Sequence, residues 1–150
     1  KKIKCKYFAI CAVDNAWSFN FYKKALKILK NSNIKVVFGS KSHPKSIIKR
    51  SLLRVIISFI SSIYLKIIFQ NKINYDCQCI KVFCSDINFL NDLNNYNYFA
   101  ETEFALNVEK HKIKKKIIPI KVKQTTGTKL NYNNLLNYCI DAIHYRITNF

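Results

Sequence analysis

The sequence predicts an α/β domain, and three observations carry this prediction. An apolar segment at 7–13 and a second one at 34–38 flank an amphipathic segment that has helical periodicity. A hydrophobic content of 49% over 150 residues is typical of one folded domain with a sizeable core, and it excludes a disordered chain. The chain has two Gly, two Pro and no internal repeat, which excludes collagen-like and repeat architectures.

The first forty residues predict a strand–helix–strand unit. The continuous apolar run at 7–13 ends at Asp14 and is typical of a strand buried on both faces of a parallel sheet. Ser18 is a candidate cap for the helix that follows, and the second strand ends at the Gly-Ser-Lys turn of 39–41. The unit predicts parallel strands with a right-handed crossover. Because ligands bind at the carboxyl ends of such strands, Asp14 and the 39–41 turn are expected to share one edge of the sheet.

A long apolar segment at 51–69 predicts a helix for which two environments remain open. Its uncharged part, 55–65, has 11 residues, whereas a bilayer span needs roughly 20. The helix is therefore not expected to cross a membrane. It either packs into the core or lies at the membrane interface, where Arg54, Lys66 and the basic loop at 42–50 would contact lipid phosphates.

The second half of the chain predicts two strands and three helices. Residues 76–83 run into an apolar strand, and 117–122 form an edge strand because Pro119 cannot donate a hydrogen bond to a central ladder. Helical periodicity predicts a short helix followed by two longer ones, at 87–93, 99–110 and 133–147.

Charge and cysteine content limit the classes of partner. The 26 Lys and Arg against 8 Asp and Glu give a net charge of +18, which favours nucleic acid, anionic lipid or phosphorylated small molecules. Lys, Ile and Asn are in excess in every segment, so charge alone does not choose among them. The six Cys and three His lack the spacing of a zinc site and predict reduced, mostly buried thiols of an intracellular protein. No secretory signal is predicted at the N-terminus.

Several short motifs follow one another in a fixed order over residues 7–130. The strand ending at Asp14 is followed by Phe-Tyr-Lys-Lys-Ala-Leu, and Val-Val-Phe-Gly-Ser-Lys ends at Lys41. Asp-Cys-Gln-Cys-Ile-Lys-Val-Phe occupies 76–83. Phe-Ala-Glu-Thr-Glu-Phe begins at Phe99 and is followed by Ile-Pro-Ile-Lys-Val and then by Gly-Thr-Lys, which ends at Lys129.

This ordered set resembles the C-terminal two-thirds of a family 2 glycosyltransferase of the polyprenyl-phosphate type, such as dolichyl-phosphate mannose or glucose synthase. The family motifs read Asp-x-Asp, Val-Val-x-Gly-Ser-Arg, Asp-Thr-Gln-Cys-Gly-Phe-Lys-x-Phe, Phe-x-Asp-x-Glu-Leu, Val-Pro-Val-x-Trp and Gly-Ser-Lys. The resemblance implies a GT-A (Rossmann-like) three-layer domain with a mostly parallel sheet, residues 1–150 being a single domain whose N-terminal part is missing. The absence of an initiator Met agrees with a fragment.

The resemblance also implies a reaction and a set of site residues. Such enzymes move a sugar from a nucleotide-sugar donor to a dolichyl or undecaprenyl phosphate at the cytoplasmic face of a membrane, with Mg²⁺ or Mn²⁺ and no nucleic acid. The site must hold two phosphate groups close together, which calls for a divalent cation and basic side chains. By the same resemblance Asp14 binds the metal, and Gln78 and Glu103 shape the acceptor side. The residues expected to bind substrate phosphates are Lys41, Lys129 and Ser58.

The chain departs from the family pattern at several of these positions. Ala12 replaces the first Asp of Asp-x-Asp, and Phe59 replaces an Arg that would clamp a phosphate. Lys41 replaces an Arg and loses its bidentate geometry. The remaining departures are Ala16, the lack of Gly after Cys79, and Glu101 in place of Asp. A catalytically lapsed relative that binds a membrane or a partner glycosyltransferase is therefore an alternative.

Plainer roles are also open for these residues. Asp14 would serve equally as a helix cap, and the lysines as solvated surface. Glu103 would form an ion pair with Lys110 or Lys112, and Gln78 would hydrogen-bond a buried backbone group. A basic nucleic-acid-binding domain is a further alternative, since 9 Tyr and 11 Phe would supply stacking surfaces. No nucleic-acid-binding motif occurs, however, and the aromatic residues fall on apolar faces.

Overall fold

The computed structural model of the chain describes residues 5–10, 18–48, 52–70, 72–94, 97–122 and 132–149. These residues form an α/β structure, which confirms the predicted class. The four strands are β1 (Tyr7–Ile10), β2 (Val36–Ser40), β3 (Lys81–Cys84) and β4 (Lys115–Pro119). The helices are α1 (Phe19–Asn31), α2 (Leu52–Ile68), α3 (Ala100–Lys110) and α4 (Tyr132–Asn149), with a short 3₁₀ helix at Asn88–Asp92.

The sheet is mixed, so the predicted mostly parallel sheet is wrong. Its order is β1-β3-β2-β4, and β3 runs antiparallel to both β1 and β2, while β2 and β4 are parallel. β1 and β2 point the same way but are separated by β3. The apolar run that forms β2 indicates only that this strand is covered on both faces. A mixed sheet between helices gives the same run, and the direction of the strand is not encoded in it.

Two apolar clusters cover the two faces of the sheet. On one face α1 contributes Phe21, Ala25 and Leu29, which pack with Val37 of β2 and with β3. On the other face Val36 and Phe38 alternate with Val37, as expected for a strand, and pack against α3 and α4. Phe104 of α3 is central there, with its ring centroid 4.9 Å from that of Phe83. The described residues therefore form three layers, with helices on both sides of the sheet.

Among the described residues, β1 and β4 are the two edge strands of the sheet, and the prediction was correct for β4 but wrong for β1. β4 is an edge strand as expected, and Pro119 stands at its end. β1 is also at an edge, and Phe8 in its centre is 40% exposed, so the prediction of a strand buried on both faces is wrong. Ser18 precedes α1, but its side chain makes no capping hydrogen bond; its backbone carbonyl accepts one from the N–H of Phe21.

Helix α2 is exposed along most of its apolar surface. Leu65 is its only large apolar residue that is buried among those the structure describes, so packing into the core does not account for the helix. The exposed apolar side chains of α2 are Leu52, Leu53, Val55, Ile56, Phe59, Ile60, Ile63 and Ile67. Within the described ranges, neither α2 nor any other helix has the length and apolar character needed to span a bilayer.

The strand directions bring four chain segments to one edge of the sheet. Ile10 at the end of β1 pairs with Lys81 at the start of β3, and Ser40 at the end of β2 pairs with Pro119 at the end of β4. We call this edge the carboxyl edge. It is the edge at which β2 leads into the loop that contains Lys41.

Gly39 allows this edge to pack closely. A Cβ atom at this position would lie 2.5 Å from Cγ2 of Ile120 and 2.6 Å from Cγ2 of Ile80. We expect Gly39→Ala to lower the free energy of unfolding by about 1–3 kcal/mol, because an added methyl group overpacks a filled core. Urea unfolding measures the change, and Asn33→Ala at an exposed turn is the control. A loss below about 0.5 kcal/mol for Gly39→Ala would contradict the close packing.

Candidate active site

A cavity of about 340 Å³ opens at the carboxyl edge between the 41–42 turn, α2 and the segment before β3. We call it the lysine cavity. Three of the predicted site residues line it together: Lys41, Ser58 and Gln78. Its other lining residues are Ser42, Ile57, Ser61, Ser62, Leu65, Ile73, Asn74, Tyr75, Asp76, Cys77, Leu135 and Tyr138.

Lys41 is held in the lysine cavity by two groups of the same chain segment. Its Nζ donates a hydrogen bond to the backbone oxygen of Gln78 at 3.1 Å and lies 3.7 Å from Oδ2 of Asp76. The backbone N–H of Lys41 also donates to Oδ2 of Asp76, at 3.4 Å. The preceding turn is fixed by serines, since Ser40 and Ser42 share a hydrogen bond and Ser46 donates to the Ser40 carbonyl. The ammonium group is therefore positioned before any ligand arrives.

Helix α2 presents a row of hydroxyl groups to the same cavity. Ser58, Ser61 and Ser62 are spaced three and four residues apart, so they occupy one side of the helix. Only Ser58 was predicted as a site residue. The signal for the other two was present in the sequence as serines at helical spacing within an otherwise apolar segment.

The structure places Gln78 and Glu103 in different environments. Gln78 is exposed and its Nε2 donates to the backbone oxygen of Tyr98 at 3.4 Å. Glu103 is 1% exposed, accepts a hydrogen bond from the backbone N–H of Asn94 at 3.1 Å, and does not line the lysine cavity. Residues two apart in a helix point in nearly opposite directions, and it is Glu101 that faces outward.

Glu101 lines a second cavity that lies on the other side of Gln78. This cavity has a volume of about 770 Å³, and we call it the amide cavity. Gln78 and Tyr138 line both cavities, so the two are adjacent. The other residues of the amide cavity are Asn97, Tyr98, Asn134, Asn137, Ile140 and Asp141. None of the residues from α4 could be assigned to a site from the sequence, because only the folded chain brings α4 next to Gln78.

Lys81 pairs with Glu101 from inside the protein. Its side chain is fully buried, its Nζ lies 2.6 Å from Oε2 of Glu101, and it also stands 5.9 Å from the centre of the Phe104 ring. The carboxylate itself is 38% exposed. The ion pair therefore joins the first residue of β3 to the first turn of α3.

Asp14 and Lys129, the predicted metal ligand and second phosphate-binding lysine, lie outside the described residues. The described end of β1, Ile10, reaches the carboxyl edge. In the part of the chain that the structure covers, no group of three or more His, Cys, Asp or Glu side chains is placed to hold a metal ion.

Two thiols near the lysine cavity are buried, at Cys77 and Cys79. Burial raises the pKa of the Cys77 thiol to about 11 and that of Cys79 to about 12. The Sγ of Cys77 is 3.5 Å from the Thr102 hydroxyl. Since a protonated thiol is neither a nucleophile nor a metal ligand, these cysteines serve as packing residues at neutral pH.

Comparisons of this chain with protein-family profiles, with curated proteins and with solved structures found no match.

We expect Cys77 and Cys79 to resist alkylation by iodoacetamide at pH 8 in the native protein. A raised pKa lowers the fraction of each thiol that is ionised. For Cys77 the thiolate fraction is about 100-fold lower than for a thiol of pKa 9. Peptide mass spectrometry after timed labelling measures each site, and the exposed Cys5 is the internal reference. Labelling of either buried thiol at the rate of Cys5 would show that the segment opens to solvent.

Proposed function

We propose that this protein transfers a sugar from a nucleotide-sugar donor to a polyprenyl phosphate, dolichyl or undecaprenyl, at a membrane surface. The proposal includes a GT-A domain, which a three-layer α/β structure with a mixed sheet accommodates. The observation that carries it is that Lys41, Ser58 and Gln78, far apart in the sequence, line one cavity. One side of α2 lines that cavity, and other side chains of the same helix expose a large apolar surface.

The lysine cavity has the chemistry of a phosphate site. It combines an ammonium group with the hydroxyl groups of Ser42, Ser58, Ser61 and Ser62, all of which can donate to phosphate oxygens. A net charge of +18 raises the local concentration of anionic ligands around it. A lipid phosphate is already an anion, so its attack on the sugar requires less help from a general base than attack by a hydroxyl.

Helices α2 and α4 supply a surface suited to a lipid bilayer. The two helices are joined by a hydrogen bond of 2.7 Å from the Tyr64 hydroxyl to the Cys139 carbonyl. Helix α4 also exposes four large apolar side chains: Leu136, Ile140, Ile143 and Ile147. Proteins that stay in water seldom expose so many large apolar side chains together, whereas helices at a membrane interface do. These side chains support our proposal of a membrane surface, and the cytoplasmic face is what the resemblance implies.

A narrow apolar groove between α2 and α4 supports a lipid acceptor. It has a volume of about 190 Å³ and is lined by Ile57, Ile60, Ser61, Tyr64, Leu135, Tyr138 and Cys139. Four of these residues also line the lysine cavity: Ile57, Ser61, Leu135 and Tyr138. A lipid phosphate fits these two adjoining sites, because its phosphate head would contact the polar groups of the lysine cavity and its isoprenoid chain would contact the apolar groove.

The donor side of the proposal depends on Asp14 and Lys129. We propose that Asp14 binds Mg²⁺ or Mn²⁺ and that Lys129 contacts a phosphate group, as the resemblance implies. Asp76 is the carboxylate among the described residues of the lysine cavity, and it is engaged with Lys41. The described groups alone therefore do not fit a metal ion, and the metal depends on Asp14.

A catalytically lapsed relative that binds a membrane or a partner glycosyltransferase is the second candidate. The observation that favours it is Phe59, which is 66% exposed on α2 where the resemblance calls for a phosphate-binding Arg. Such a protein would keep the apolar surface and lose turnover. The nucleic-acid alternative has less support, since many of the aromatic rings are packed in the core, including Phe38, Phe69, Phe89, Phe99 and Phe104.

Replacing one exposed aromatic residue of α2 tests the membrane surface. We expect Phe59→Ser to weaken binding to vesicles of anionic phospholipid by about tenfold, since burying a Phe side chain contributes about 1.5–3 kcal/mol. Vesicle sedimentation measures the partition. The matched control is Phe19→Ser, which removes a Phe of similar exposure, 69%, from α1. Equal losses for the two variants would remove α2 from the membrane contact.

Sugar transfer itself is tested with the full-length protein. We expect transfer of radiolabelled sugar to extracted polyprenyl phosphate in the presence of Mg²⁺ or Mn²⁺. Lys41→Ala should reduce the rate about tenfold or more, because a hydrogen bond to a charged group contributes about 1.5–3 kcal/mol. Lys27→Ala on the exposed side of α1 removes the same charge and is the control.

Two outcomes would count against parts of this proposal. An Asp14→Ala variant as active as the parent would remove Asp14 from the mechanism. Vesicle binding without turnover, and without metal-dependent nucleotide binding, would favour the lapsed relative over the enzyme.

A further inference from the structure

The lining of the amide cavity differs in charge from the rest of the protein. The chain carries 26 Lys and Arg, yet neither residue type occurs among the described side chains that line this cavity. Its polar lining consists of four amides, two carboxylates and two tyrosines. Its volume of about 770 Å³ falls within the range of small-molecule sites, about 300–1,000 Å³. This lining disfavours an anion and favours a neutral or cationic group.

Both carboxylates of the cavity are held by neighbouring groups. Glu101 is paired with the buried ammonium of Lys81 at 2.6 Å, and Asp141 accepts a hydrogen bond of 2.6 Å from Nδ2 of Asn97. Burying a lysine is unfavourable unless its charge is paired. The pairing compensates the charge of Glu101 and fixes the direction of its carboxylate, which still reaches solvent.

The remaining groups match a polyhydroxyl ring. Amides and carboxylates offer both donors and acceptors, which a neutral ring with several hydroxyl groups needs. Tyr98 is 63% exposed and supplies an aromatic surface. It is held in place by Asn134, whose Nδ2 donates to the Tyr98 hydroxyl at 3.1 Å, and by Gln78, which donates to its backbone oxygen.

We infer that the amide cavity binds the uncharged pyranose ring of a sugar whose phosphate lies in the lysine cavity. Gln78 and Tyr138 line both cavities, so the ring and the phosphate of one sugar phosphate would occupy neighbouring sites. This inference rests on the proposed function for one point, namely that the lysine cavity binds a phosphate group. The ring part depends on Glu101, Asn134 and the other amide-cavity residues.

Titration calorimetry of the full chain tests this assignment with two kinds of probe. The probes are inorganic phosphate and the 1-phosphates of glucose, mannose and galactose. At least one hexose 1-phosphate should bind about tenfold or more tightly than inorganic phosphate. Glu101→Gln and, separately, Asn134→Ala should remove most of that advantage while leaving the affinity for inorganic phosphate unchanged.

The control is Asp86→Asn, which removes one exposed carboxylate beyond the opposite end of β3 and should leave both affinities unchanged. The Asn134→Ala variant also covers the case in which Glu101→Gln does not fold, because Asn134 is only partly buried on α4.

The outcomes separate this inference from the proposed function. The ring assignment is overturned if all three hexose 1-phosphates bind no more tightly than inorganic phosphate. It is also overturned if neither variant reduces the tighter binding of the hexose 1-phosphate. In both cases the phosphate site in the lysine cavity is unaffected. If inorganic phosphate does not bind while a sugar ring still binds through Glu101 and Asn134, the ring assignment stands and the phosphate site of the proposed function fails.

Discussion

The ion pair between Lys81 and Glu101 joins the sheet to α3 at the amide cavity, which Glu101 lines. Lys81 is the first residue of β3, and its side chain is fully buried. Glu101 lies in the first turn of α3, where the helix dipole also favours a negative charge. Because β3 is inserted between β1 and β2, this pair fixes α3 to the centre of the carboxyl edge. Gln78, three residues before Lys81, is thereby held between the lysine cavity and the amide cavity.

The residues of α3 divide into those that face the core and those that face the cavity. Glu103 and Phe104 are buried, while Glu101 stays half exposed. Tyr138 of α4 is bound to the same helix, since its hydroxyl shares a hydrogen bond of 2.7 Å with Thr102. Burial raises the pKa of the Tyr138 hydroxyl, which keeps it protonated as part of this hydrogen bond. Polar contacts as well as apolar packing therefore set the position of α4 beside the cavities.

Local patterns in the sequence predicted the elements and part of the site, but not the directions of the strands. A long apolar segment located α2, and Pro119 correctly indicated an edge strand. The direction of β3 depends on long-range pairing, which an apolar run does not encode. Lys41, Ser58 and Gln78 were identified by motif order, whereas Glu101 was passed over in favour of Glu103. The choice between two glutamates two residues apart depends on which side of α3 meets the sheet.

Specific hydrogen bonds attach α2 to α4, from Tyr64 to Cys139, and α4 to α3, between Tyr138 and Thr102. If their shared apolar surface rests on a bilayer, the tilt of the whole domain relative to the lipid plane is set by these contacts. The distance of Lys41 above the headgroups then becomes a fixed dimension of the folded protein. Under the proposed function, this height would select acceptors whose phosphate lies at the same level above the membrane.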